Sequence, residues 1–165
     1  MHVSLIVRLS ITMKTLTLPL ETATRIKIDH WLVNLGWNID ENDPNCTCFT
    51  GRARTVEESK RLKGNSPDYV LYSSDSFQPI AIIEAKRIGE SLEKALKQGI
   101  EKYAKPLGIK IVFVTDGLFI QAYHCVDKDY LYYNSERVTE FLSEKRLKLF
   151  IEDGSKVFSE KKITH

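Results

Sequence analysis

Pro79-Ile80-Ala81-Ile82-Ile83-Glu84-Ala85-Lys86 is the stretch on which the reading of the fold turns. Four apolar residues, Ile80 to Ile83, stand together, the mark of a strand buried on both faces. The run then breaks into Glu84-Ala85-Lys86. Residues i and i+2 of a strand face the same side, so Glu84 and Lys86 share one face at the end of a buried strand. Either charge buried alone is costly, so each needs a partner or a metal. Upstream, Asp68-Tyr69-Val70-Leu71-Tyr72, introduced by Pro67, reads as a second strand. The polar SSDSFQ between the two has the length and chemistry of a hairpin connection. Paired through that hairpin, Asp68 approaches Glu84.

The rest of the chain builds outward from this hairpin. A helix is predicted over about residues 90–104, with Leu92, Leu96, Gly99, Ile100, Tyr103 and then Leu107 as one apolar stripe, and Pro106 and Gly108 marking its end. Ile111 to Thr115 reads as a buried strand, Asp116-Gly117 as a turn and Leu118 to Cys125 as the hairpin partner. Tyr130 to Tyr133 adds a short edge strand, and Thr139 to Phe150 a C-terminal helix. On the N-terminal side, apolar positions at three- and four-residue spacing predict a helix from Glu21 to Leu35, stopped by Gly36. Cys46 to Thr50 reads as a short strand. The segment GRARTVEESKRLKG carries five basic residues against two acidic ones. It reads as a solvated loop or as a contact for phosphates, whose binding would depend on salt. The order helix, strands, helix, strands, helix predicts an α/β fold, a central mixed β-sheet flanked by α-helices. The expected boundaries are an N-terminal extension at 1–19, one domain at 20–150 and a loose charged tail or linker at 151–165. The extension reads either as a β-prone tail or as a leader upstream of a start at Met13.

Composition sets the outer limits. A chain of 165 residues with 42% hydrophobic and 28% charged residues is a single globular domain rather than a disordered or repetitive one. It has no run of about 18 apolar residues, so no membrane span is expected. A net charge of +2 neither demands nor excludes nucleic acid, and any DNA contact must come from local clusters. Three cysteines, an odd count without a secretory signal, point to a reducing cytoplasm. Cys46 and Cys48 form C-x-C with no second pair at zinc-finger spacing. His124 has no nucleophile near it in any pattern, and Trp31 and Trp37 read as packing around the first helix.

Two crowded carboxylates either take up a proton or attract a cation. The candidate ligands at Asp68 and Glu84 are oxygens, which select Mg²⁺ or Mn²⁺ over zinc. Such an ion activates water and stabilises charge on a phosphate, and a lysine beside it orients the water, which fits phosphodiester hydrolysis. The alternative is an ordinary ion pair. Glu21 lies on the core-facing stripe of the first helix, and by position alone reads as a first-turn acid favoured by the helix dipole.

Ser66-Pro67-Asp68, fifteen residues, then Glu84-Ala85-Lys86 resembles the PD-(D/E)xK nuclease signature. Further segments resemble the R subunit of type I restriction enzymes: Glu21-x-x-Thr24-Arg25 with Ile28-Asp29, Leu32 and Gly36-Trp37; Lys63-Gly-x-x-Pro-Asp68-Tyr69-Val-Leu71; Pro79 to Arg87; and Thr115-Asp116-Gly117, similar to that family's Thr-Asn-Gly turn. Together they span roughly residues 20–125 in the family's order. The resemblance implies a restriction-endonuclease-like fold and a Mg²⁺-dependent endodeoxyribonuclease, with Mn²⁺ as substitute. Asp68 and Glu84, with the Ala85 carbonyl, would bind the metal. Lys86 would position the attacking water, and Glu21 would be an additional acidic residue. It implies double-stranded DNA as substrate, methylation and specificity subunits as partners, and no base readout by this domain. Gln98, Arg87, Arg52 and Arg54 are candidate DNA contacts. Where the family has Gln and Tyr four residues apart, this chain has Gln98 and Tyr103, a step of five. On an α-helix that step turns the two side chains about 140° apart, so Tyr103 is expected in the core. The chain has no G-x-x-x-x-G-K-[ST] loop, so ATP would act only in a motor region that this sequence does not include. Two other readings keep the scaffold: a non-catalytic DNA-binding or assembly module, and a repair-type or junction-resolving nuclease.

Overall fold

The computed structural model describes residues 20–159, so the N-terminal extension at 1–19 and the last residues of the charged tail lie outside the described residues. Helix α1 (Leu20–Asn34) is followed by strand β1 (Cys48–Thr50), helix α2 (Val56–Arg61) and the hairpin of β2 (Tyr69–Tyr72) and β3 (Pro79–Ala85). A crossover of α3 (Leu92–Gln98), a π-helix (Gly99–Ala104) and α4 (Lys105–Leu107) leads to β4 (Ile111–Thr115). Strands β5 (Ile120–His124) and β6 (Asp129–Tyr130) complete a six-stranded sheet in the order β1-β2-β3-β4-β5-β6. Strands β3 and β4 run parallel and the other neighbours antiparallel, so the sheet is mixed and the fold is α/β, as the sequence predicts. A helical crossover is what a parallel pair requires. Strands β7 (Tyr132–Tyr133), β8 (Glu136–Arg137) and β9 (Lys156–Val157) form a second, smaller sheet, with helix α5 (Glu144–Asp153) running into β9.

Strand alternation sorts the sheet's side chains into two cores. Tyr69, Leu71, Ala81, Ile83, Ile111 and Phe113 face α1 and α5, where they meet Ile28, Leu32, Leu147 and Phe150. Val70, Tyr72, Ile82, Val112 and Val114 face the other way, against Ala95, Leu96, Tyr103 and Leu107 of the crossover. Burial on both faces explains why β3 reads as an unbroken apolar run. By this alternation Glu84 falls on the crossover side, in step with Ile82.

Several expectations need correction. The stretch read as a solvated loop contains α2, capped by Thr55, whose hydroxyl accepts from the Glu58 amide at 3.1 Å. The sequence T-V-E-E carries that capping signal among the basic residues that mask it. The helix predicted over 90–104 changes to a π-helix at Gly99. The C-terminal helix starts only at Glu144, with Ser143 as its cap, and residues 139–142 precede it as irregular chain that buries Phe141 and Leu142. The edge strand expected at Tyr130 to Tyr133 is divided between the two sheets. From residue 151 to 157 the chain is not loose: α5 continues to Asp153, and β9 pairs with β7. Trp37 packs as expected, its indole N–H donating to the Leu142 carbonyl at 2.9 Å. No helix among the described residues is long and apolar enough to cross a membrane.

Candidate active site

The carboxyl ends of β3 and β4 point the same way because the two strands are parallel, and the crevice beyond such ends is where α/β sheets bind ligands. Tyr69 pairs with Ile83, which sets Asp68 beside Glu84. The amide of Asp68 donates to Glu84 Oε1 at 3.2 Å, and the amide of Ala85 donates to Asp68 Oδ2 at 2.8 Å. The two segments therefore clasp each other through both carboxylates. Gly51, at φ +72°, follows β1 and donates its amide to the Asp68 carbonyl at 3.0 Å. On the other side, the Lys86 amide donates to the Thr115 carbonyl at 2.8 Å and so holds the end of β3 to β4.

Helix α1 reaches the same corner from the opposite face of the sheet. Arg25 pairs with Asp68 Oδ1 at 2.5 Å. The Tyr69 hydroxyl donates to Asp29 at 2.8 Å, and Thr24 donates to the Asp116 carbonyl at 3.4 Å. Gly117, at φ +90°, leaves the room that Thr24 uses, since a Cβ there would lie 3.2 Å from its hydroxyl. These contacts fix the N-terminal half of α1 at the site. Glu21 lies in the first turn of α1, one helical turn before Arg25; its side chain is outside the described residues.

Glu84 is only 2% exposed. Burial, and then the negative charge of Asp68, push its carboxyl up to about 7, while the charges of Lys86 and Arg25 pull the other way. Among the described residues, no group of three or more His, Cys, Asp or Glu side chains gathers as a metal cage.

The π-helix changes the reading of Gln98 and Tyr103. Its hydrogen bonds run from residue i+5 to residue i, as from the Lys105 amide to the Ile100 carbonyl. A step of five on such a turn returns towards the starting face. Gln98 accordingly approaches the Tyr103 hydroxyl, and that hydroxyl donates to the Ser66 carbonyl at 3.1 Å. The Tyr103 ring is buried as expected, but its hydroxyl braces the segment that enters Asp68. Gly99 makes the close approach possible: a Cβ there would lie 3.0 Å from Val112 and 3.3 Å from Glu84.

Asp68, Glu84, Ala85 and Lys86 are thus brought together, with Tyr103 bracing the approach to Asp68 and Gln98 beside it. Arg87 is exposed just beyond Lys86. Arg52 pairs with Glu41 at 2.9 Å and lies over the Phe49 ring. Arg54 lies over Phe77, and its amide donates to the Tyr72 hydroxyl, at the end of β2 away from Asp68. His124 is buried, and its Nε2 has no hydrogen-bond partner among the described residues. Sequence reasoning gave Arg25 no site role and placed Tyr103 in the core, where its ring lies, without the bracing contact of its hydroxyl. The signal for Arg25 was present: a cation on the stripe of α1 that otherwise faces the core.

No protein-family model matches the chain, and no curated protein matches its sequence. Among solved structures the chain is similar to "the fragment structure of a putative HsdR subunit of a type I restriction enzyme" from Vibrio vulnificus YJ016, with a TM-score of 0.58 at 19% identity. The match covers 83% of this chain and 26% of that one, so this chain spans about a quarter of its neighbour's length. At that identity the likeness is one of fold.

Proposed function

We propose that this chain is the nuclease module of a type I restriction R subunit, a metal-dependent endodeoxyribonuclease that hydrolyses DNA phosphodiester bonds. The observation that carries the reading is the clasp of Asp68 and Glu84 at the end of a buried strand, with Lys86 two residues on. The fold likeness to the HsdR fragment supports the same reading.

The residues fit a hard divalent cation. Mg²⁺ is commonly held by one or two carboxylates together with substrate phosphates and water, so it needs no all-protein cage. Asp68 and Glu84 supply two crowded carboxylates, with the Ala85 carbonyl between them in sequence, and Glu21 on α1 is an additional acid. The raised affinity of Glu84 for a proton marks a place where positive charge is wanted. A bound Mg²⁺ or Mn²⁺ would supply charge neutralisation at the scissile phosphate and lower the pKa of water. Lys86 orients a water and offsets negative charge as it develops. Arg25 holds Asp68 in place. Tyr103 keeps the entering segment rigid through its bond to the Ser66 carbonyl, because a small misplacement of catalytic groups is costly. Double-stranded DNA is the substrate, and methylation and specificity subunits are the partners that present it.

The test is plasmid cleavage in Mg²⁺ by the chain, or by a restriction complex that contains it. Asp68→Ala and Lys86→Ala should each lower the rate by about 100-fold or more. Unchanged cleavage by both variants overturns the proposal.

A further inference from the structure

We propose that the basic cleft between α2 and the helical crossover seats the sugar-phosphate backbone of double-stranded DNA and leads it past Ser66 to Asp68, an inference that rests on the nuclease reading above. The cleft has a volume of about 430 Å³, and its walls include Arg61, Lys63, Asn65, Glu101, Lys102 and Pro106. Arg61, Lys63 and Lys102 are all exposed. Glu101, the one carboxylate among the described lining residues, is paired with Lys105 at 2.6 Å. The cleft therefore presents an excess of positive charge suited to neutralising phosphates.

A second cleft, about 570 Å³, lies along α3 beside Tyr123 and Tyr130. There, with Glu101 again committed to Lys105, Lys94 and Lys97 stand against Glu93, so it offers a polyanion less than Arg61, Lys63 and Lys102 do in the first cleft. Charge selects the first cleft, and position agrees. Asn65, on its wall, stands three residues before Asp68, a reach of at most about 10 Å. Phosphates along one strand advance by about 3.4 Å each, so that reach is about three nucleotides. Lys102 adjoins Tyr103, whose hydroxyl holds the Ser66 carbonyl between cleft and active site. The basic run that the sequence singles out is thereby divided. Its C-terminal part, Arg61 and Lys63, lines the cleft, while Arg52 and Arg54 lie over Phe49 and Phe77.

The experiment is fluorescence anisotropy of a labelled duplex with the full chain, in EDTA, over a series of salt concentrations. The variant Arg61→Ser/Lys63→Ser/Lys102→Ser is compared with Lys128→Ser/Lys145→Ser/Lys156→Ser, which removes the same net charge elsewhere on the surface. The first should weaken binding by at least about tenfold and flatten the log–log salt slope by up to about 2.7, while the second stays within about threefold of wild type. If the first triple variant does not fold, Lys102→Gln alone should flatten the slope by about 0.9. The proposal is overturned if the wild-type chain does not bind duplex, or if the two triple variants weaken alike. It is also overturned if the first triple variant keeps duplex binding and instead loses binding to polyglutamate, which would mark a seat for an acidic polypeptide. EDTA removes every metal-dependent step, so failure here leaves the nuclease reading standing. Failure of that reading shows separately, as cleavage that survives both Asp68→Ala and Lys86→Ala.

Discussion

Glu58 and Glu84 are both buried carboxylates on the crossover side of the sheet, 6% and 2% exposed, and their surroundings differ. Glu58 accepts a 2.6 Å hydrogen bond from the Tyr72 hydroxyl, which in turn accepts from the Arg54 amide at 2.7 Å. Its own amide is capped by Thr55. Glu84 accepts one bond, at 3.2 Å, and sits against a second carboxylate. Tyr72 and Asp68 mark opposite ends of β2 and its approach, so one strand serves both environments. The difference separates a brace from a site. A buried carboxyl with a close hydroxyl donor rigidifies the fold, whereas one crowded by a second carboxylate leaves a demand for a cation.

The largest effect expected from this contrast is on metal. Glu84→Gln should abolish the heat of Mn²⁺ binding in calorimetry and lower cleavage by about 100-fold. Glu58→Gln should leave both within about threefold, and equal losses in the two variants would erase the distinction.

Stability should respond in opposite directions. Between pH 4.5 and about 7 the native chain holds a proton on Glu84 that the unfolded chain has released. The native state then binds more protons, so stability falls as pH rises through that window. Metal-free Glu84→Gln should therefore be more stable than wild type at pH 8, by about 1–3 kcal/mol in urea titration, and should lose that part of the pH dependence. Glu58→Ala should be less stable by about 1–3 kcal/mol, because it removes the acceptor of the Tyr72 hydroxyl's hydrogen bond.

Gly99→Ala tests the approach of the crossover to Glu84. A Cβ 3.0 Å from Val112 should cost about 1–3 kcal/mol in thermal or urea denaturation, and a neutral result would mean that the π-helix shifts freely. The smallest effect is expected from Tyr103→Phe, about 0.5–1.5 kcal/mol, as the Ser66 carbonyl loses its donor.

Much of the scaffold was legible because local chemistry and tertiary context agreed. The Ile80–Ile83 run, the SSDSFQ connection and the Gly36 and Gly108 stops each act within a few residues. The meeting of Asp68 with Glu84 followed from the hairpin alone. Helix α2 was hidden because its helical signal is short and its basic residues read equally well as loop. The Gln98–Tyr103 pair was misjudged because the angle of a five-residue step depends on the kind of helix. That kind was set by packing of Gly99 against Val112 and Glu84, which no window of the crossover sequence contains.

Local sequence was enough for the order of the central elements from β2 to β5, the parity that puts Glu84 and Asp68 on one side of the sheet, and the oxygen-rich chemistry at their meeting point. These follow from periodicity and turn residues, which are short-range. Long-range packing is what lets Arg25 grip Asp68 from across the sheet, lets a π-turn carry Tyr103 to Ser66, and gathers Arg61, Lys63 and Lys102 in one cleft but not Arg52 and Arg54. Those outcomes depend on how closely elements distant in the chain can pack, and packing distance is a property of the assembled core.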